Sequence, residues 1–144
     1  MAKFFLDSCV FIETLKVSGN PKAKKLWDAV LELYLGHEFF VNAVVKSEVS
    51  YHVFCKRKLM SIEDLKGILE SFSSLDMTDS VEKLMYGYMS KYHLKPNDAL
   101  ILATCKHYGI KYLISLDKDF ERACAGEKVV LVSDAEKLRA VLER

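Results

Sequence analysis

Four short apolar runs limit the fold of this chain more than any other feature. They are residues 3–6 (Lys-Phe-Phe-Leu), 38–41 (Glu-Phe-Phe-Val), 111–116 (Lys-Tyr-Leu-Ile-Ser-Leu) and 128–132 (Lys-Val-Val-Leu-Val). None alternates apolar with polar residues, as a strand with one wet face does. Near-continuous hydrophobicity suits strands covered on both faces, as in a parallel sheet. Amphipathic stretches near 21–35, 42–58, 62–73, 79–92 and 98–108 read as helices. Strands alternating with helices mean an α/β protein, a three-layer α/β/α sandwich with a mainly parallel central sheet. The 144 residues contain no repeat, low-complexity tract or linker, so one domain over 1–144 is expected.

Local punctuation supports these boundaries. Asn20-Pro21 supplies a cap followed by proline at the first helical position. Gly36 and Gly109 fall just past helix ends, where a left-handed residue is wanted. Ser61–Asp64 and Ser133–Glu136 read as capping boxes, and Asn97 reads as the cap of the helix at 98–108. Helix 21–35 spreads its apolar residues over roughly 200°, beyond the stripe needed to cover one sheet face. The excess calls for a second helix or another protein chain.

Composition narrows the class. With 51% hydrophobic residues the chain is not disordered, and no apolar run approaches the ~20 residues of a membrane span. Asp7 interrupts the apolar start too early for a signal-peptide hydrophobic region, so a cytoplasmic protein is expected. Cys9, Cys55, Cys105 and Cys124 form no Cys-x-x-Cys pair and read as reduced, small core residues. A zinc site from His52, Cys55, Cys105 and His107 matches no familiar metal spacing and is set aside. The 21 basic and 20 acidic residues exclude a bulk nucleic-acid coat.

Placement makes four of the acids informative. Asp7 ends the run Phe4-Phe5-Leu6, and Asp117 ends Leu113–Leu116. Ligand sites of open parallel sheets gather at the carboxyl ends of strands, although either residue could merely cap its turn. Glu48 lies on the core-facing stripe of Val41, Val44, Val45, Val49 and Val53. There it must be paired with a lysine, protonated or bound to a cation. Asp98 opens the most hydrophobic helix, at Ala99–Ala103, where the helix dipole also favours an acid. Asp119 either caps a short turn at Phe120 or supports a metal. Gathering such carboxylates is costly, because like charges raise one another's pKa; a divalent cation removes the conflict. All-oxygen donors point to Mg²⁺ or Mn²⁺.

The segments Phe5–Ile12, Val44–Glu48, Asn97–Ala103 and Ile114–Phe120, in that order, resemble the PIN-domain ribonucleases, and most of all the VapC toxins of type II toxin–antitoxin pairs. The resemblance runs from residue 4 to about 132. It implies a Mg²⁺- or Mn²⁺-dependent endoribonuclease in which Asp7, Glu48, Asp98 and Asp117 are the catalytic, metal-holding acids. Ser115 matches a supporting hydroxyl position, Asp119 an additional acid, and Ser8 stands beside Asp7 in support. Leu116 departs from the polar or basic residue found in many relatives. The implied reaction is in-line attack of water on an RNA phosphodiester, leaving a 5′-phosphate. The implied partners are RNA, a second copy in a homodimer, and an antitoxin lying over the active-site groove. Lys46 and Lys118 flank the acids as candidate RNA contacts, with Lys56-Arg57-Lys58 as a further basic patch.

Other readings are an RNA-maturation nuclease outside a toxin–antitoxin pair and a non-catalytic PIN scaffold. A haloacid-dehalogenase-type phosphatase needs a second acid at Cys9, and a receiver domain needs an acidic pair and a lysine that are not in register. Committing four acids to a metal leaves 16 against 21 bases, so the exterior leans to about +5 and suits a polyanion.

Overall fold

The computed structural model describes residues 1–143. Its five strands are β1 (Lys3–Leu6), β2 (Glu38–Asn42), β3 (Ser73–Leu75), β4 (Tyr112–Ile114) and β5 (Val130–Val132). They form one parallel sheet in the order β3-β2-β1-β4-β5. The most apolar run takes the centre: Phe4, Phe5 and Leu6 are wholly buried, with Phe4 opposite Phe39 and Phe5 opposite Leu113. A central strand is covered on both faces and has no edge to solvate, which is why it shows no alternation.

Among the described residues eight α-helices flank the sheet: α1 (Ser8–Leu15), α2 (Pro21–Leu33), α3 (Ala43–Ser50), α4 (Ile62–Glu70), α5 (Asp79–Tyr92), α6 (Pro96–His107), α7 (Glu121–Glu127) and α8 (Ala135–Leu142). A π-helical turn, Tyr51–Lys56, follows α3, and a 3₁₀ turn, Lys118–Phe120, precedes α7. α2 packs against α1 and α8, while α5 packs against α6 and α7. The α/β/α sandwich expected from the alternation is the fold observed. No described helix is long and apolar enough to cross a membrane.

Several local expectations need correction. The helix expected over 42–58 is α3 followed by the π-helical turn, and the one expected over 62–73 stops at Glu70. The remaining residues, Ser73–Leu75, form edge strand β3 on β2, too short and polar to stand out in sequence. α1 and α7 were also not foreseen. Asn97 does not cap α6; Lys95 occupies the cap, Pro96 is the first helical residue and Asn97 lies inside the helix. Asp134, not Ser133, caps α8 by accepting from Lys137 N. Gly109 has φ +67° after α6 as expected, whereas Gly36 stays out of the left-handed region and α2 ends earlier, at Leu33. β4 also ends early, at Ile114, so Ser115 and Leu116 separate Asp117 from the strand.

Two other expectations resolve by packing. α1 and α8 cover part of the broad α2 face, burying Leu26, Ala29 and Val30, while Leu31 and Leu35 remain exposed. Cys105 and Cys124 are buried as small core residues and Cys9 is half-buried, but Cys55 is exposed on the π-helical turn. His52, Cys55, Cys105 and His107 form no metal-sized cluster among the described residues.

Candidate functional site

The carboxyl edge of β1 and β4 holds a hydrogen-bonded node built on Asp7. Asp7 caps α1, its Oδ1 accepting from Ser8 N at 2.7 Å. Its Oδ2 accepts from Ser115 Oγ, also at 2.7 Å. Ser115 Oγ accepts in turn from Asp117 N at 3.0 Å. One buried hydroxyl therefore ties the end of β1 to the turn carrying Asp117. Ser115 can reach both because its backbone N–H still pairs with Val132 O, holding it at the sheet edge after β4 has ended.

The remaining acids arrive from three elements. Glu48 lies in the second turn of α3 and accepts from Ser8 Oγ at 3.3 Å. It is half-buried, and the ion pairs among the described residues do not include it, so of the three alternatives pairing with a lysine is not the one observed there. Asp98 lies in the first turn of α6. Asp117 caps the 3₁₀ turn, accepting from Asp119 N at 2.9 Å, and that cap brings Asp119 round beside it. Carboxylate oxygens of Asp98, Asp117 and Asp119 lie within 4.8 Å of one another. Asp119, read from sequence as a supporting acid, thus belongs to the tightest group. Asp7 and Glu48 lie beside that group, held by hydroxyls.

The electrostatics match this crowding. Burial, then the charges of Asp7, Asp117, Glu48 and Asp119, push the Asp98 carboxyl up to about 7. Burial also raises Asp7, against the pull of the Ser115 and Ser8 hydrogen bonds. Glu48 is raised by burial and by Asp7, against its bond from Ser8. No described ion pair neutralises any of these acids.

The donor set fits a hard divalent cation. With oxygens from three carboxylates within 4.8 Å of one another, Asp98, Asp117 and Asp119 have the chemistry and spacing that would hold one such ion. The nearby sulfur does not compete. Cys9 Sγ contacts Asp7 Oδ2 at 3.4 Å, and burial and the Asp7 charge push its thiol up to about 12, keeping it protonated. Of the two lysines singled out from sequence, Lys118 is exposed between Asp117 and Asp119. Lys46 instead lines a groove between α3 and α4 with Ile62, Leu65 and Leu69, on another face of α3 from Glu48.

Missed in sequence was Asn42. It is wholly buried, caps α3 by accepting from Val45 N, and donates to Thr104 Oγ1 of α6 at 3.0 Å. It joins the helix of Glu48 to the helix of Asp98. A polar residue ending an apolar strand was the available signal.

Comparison with known proteins gives concordant matches. The PIN domain family model matches residues 4–126. The chain is 35% identical over 135 residues to Ribonuclease VapC2 of Methanocaldococcus jannaschii, covering 83% of this chain and 88% of that protein. It is 31% identical over 142 residues to Ribonuclease VapC6 of the same organism, covering 82% and 90%. Among solved structures, VapBC2 from Rickettsia felis bound to a promoter DNA fragment superposes with TM-score 0.70 at 14% identity, over 90% of this chain and 96% of that one. Mycobacterium tuberculosis VapC20, a sarcin-ricin loop cleaving toxin, gives 0.68 at 16% identity, over 83% and 94%.

Proposed function

This chain belongs to the PIN-domain family, and from that premise we propose that it is a Mg²⁺- or Mn²⁺-dependent endoribonuclease, the toxin of a toxin–antitoxin pair. The observation that carries the reading is the convergence of Asp98, Asp117 and Asp119, without a cationic partner, beside Asp7 and Glu48. Relatives at 35% and 31% identity that are ribonucleases support RNA as the substrate. A structure of similar fold described as a toxin–antitoxin complex, from Klebsiella pneumoniae, supports an antitoxin as a protein partner. A homodimer and an antitoxin segment over the cleft belong to the same proposal.

Asp98, Asp117 and Asp119 would hold the cation, with Asp7 and Glu48 completing the acidic wall. Bound there, a divalent ion supplies charge stabilisation at a phosphoryl oxygen and a lowered pKa for an attacking water. The chain's own contribution is positioning. Ser115 fixes Asp7 and the Asp117 turn together, so the carboxylates are aimed before substrate arrives. Ser8 holds Glu48 at the opposite side of Asp7, and Lys118 stands exposed at the rim for phosphate.

The test incubates the purified protein with single-stranded RNA and with a small phosphomonoester, each with Mg²⁺, with Mn²⁺ and with EDTA. Cation-dependent cleavage leaving 5′-phosphate ends on RNA alone is expected, and Asp7→Asn or Asp98→Asn removes it. Undiminished cleavage in either variant would refute the site.

A further inference from the structure

The π-helical turn Tyr51–Lys56 continues α3 beyond Glu48 and carries features that the acidic cleft does not use. A π-helix of six residues is rare, and such turns recur at functional sites. Tyr51 is 57% exposed and Phe54 39% exposed, two large rings at the surface of a single turn. Tyr51 stands edge-on to His52, their centroids 5.2 Å apart, and Arg57 Nη1 lies 3.2 Å from His52 Nδ1. Lys56 and Lys58 are exposed, and the described ion pairs include none of Lys56, Arg57 and Lys58. Lys16 approaches from the end of α1, with Glu13 as its counter-charge at 2.6 Å. Lys16, Lys56 and Arg57 all bear on His52, whose imidazole is held below its ordinary range by burial first and then by these cations.

The patch is continuous with the cleft. α1 lies against both α3 and the π-helical turn: Ser8 meets Glu48 at the cleft end, and further along α1 touches the turn that carries His52. Eight residues of α1 span about 12 Å, roughly three to four stacked nucleotides at 3.4 Å each. Exposed rings interleaved with Lys56, Arg57 and Lys58, which no described ion pair includes, suit a single strand, whose bases can stack on an aromatic face while its phosphates meet lysine and arginine. A duplex would leave the rings unused.

We propose that Tyr51, Lys56 and Arg57, with Lys16 beside them, form a landing platform for single-stranded RNA that feeds the acidic cleft: Tyr51 stacks on a base, and Lys56 and Arg57 hold phosphates. This rests on the nuclease reading and adds the path of its substrate. The net positive face selects a polyanion over a neutral apolar partner.

The test measures binding of a fluorescein-labelled single-stranded 12-nucleotide RNA by anisotropy, in the full chain carrying Asp98→Asn so that the RNA stays intact, across a series of KCl concentrations. Tyr51→Ala is expected to weaken binding about 10-fold. Lys56→Ala with Arg57→Ala should flatten the slope of log K against log salt by about 1.4, at ~0.7 per phosphate contact. Lys3→Ala with Lys111→Ala, two exposed cations at the opposite edge of the sheet, should leave the slope alone. Light scattering on the same samples reports the oligomeric state. Parental affinity and slope in both platform variants would overturn the platform, as would loss of binding accompanied by a change of oligomer, which would make the face a contact between copies. Failure of the nuclease reading shows separately, as absence of cation-dependent cleavage by the unsubstituted chain.

Discussion

Asp98 and Glu127 are both half-buried carboxylates beside α5–α7 packing, and their surroundings are opposite. Glu127, ending α7, accepts from the Tyr92 hydroxyl and from Lys91 Nζ at 3.4 Å, while Lys106 Nζ donates to its backbone carbonyl at 2.8 Å. The Tyr92 hydroxyl foremost, then Lys91 and Tyr88, hold its carboxyl below the ordinary range against the effect of burial. Asp98 has acids for neighbours and is pushed up to about 7. One carboxylate is satisfied by the chain and pins α7 to α5, while the Lys106 bond to the Glu127 backbone carbonyl adds a tie to α6. The other is left unsatisfied, and a local arrangement that opposes folding is the mark of a site kept for a ligand.

The largest effect expected from breaking this contrast is on catalysis. Asp117→Asn removes one of the three converging carboxylates and should lower Mn²⁺-dependent RNA cleavage at least ~100-fold, read from initial rates, with unchanged circular dichroism. Ser115→Ala touches no cation ligand position in the tight group but frees both Asp7 and the Asp117 turn. A loss of roughly 10-fold or more is expected in the same assay, and activity equal to the parent would show that the hydroxyl does not position the acids.

The satisfied carboxylate should respond in stability alone. Glu127→Gln weakens bonds from Tyr92 and Lys91 and should cost about 1 kcal/mol in urea unfolding, with cleavage retained. Gly126→Ala sharpens the point, because a Cβ there overlaps the Tyr92 hydroxyl. The ring must shift from Glu127, for a loss of about 1–3 kcal/mol.

The smallest effect runs in the opposite direction. Because the folded pKa of Asp98 is raised above its unfolded value, its contribution favours folding below the unfolded pKa and is lost as pH rises through about 7. In EDTA at about pH 8, Asp98→Asn should therefore raise the melting temperature by a few degrees, with the gain shrinking as pH falls below about 7 and vanishing only where the unfolded chain's carboxyl is protonated too. Saturating Mn²⁺ should reverse the order at about pH 8, stabilising the parent alone.

The sheet and the identity of the acids were readable because they depend on local order. Phe4-Phe5-Leu6 is apolar on every residue, which suits a strand buried on both faces, and Asp7 then breaks the run. Glu48 stood out because it interrupts a valine stripe. What could not be read involved partners distant in sequence. β3 is Ser-Ser-Leu and becomes a strand only because β2 offers it hydrogen bonds, Phe40 opposite Ser73. The π-helical turn departs from helical spacing where no glycine or proline marks it.

The strand–helix alternation and the order of Asp7, Glu48, Asp98 and Asp117 along the chain are properties of residue pattern, since burial on two faces and charge within an apolar run are written position by position. Which carboxylates meet was decided by packing. Asp119 joins Asp98 and Asp117 because a 3₁₀ turn capped by Asp117 brings it beside them, while Asp7 is held on Ser115, 108 residues away. A few ångströms between oxygens separate a cation site from a set of solvated acids, and those distances come from how β1, β4 and α6 converge, which no spacing along one chain encodes.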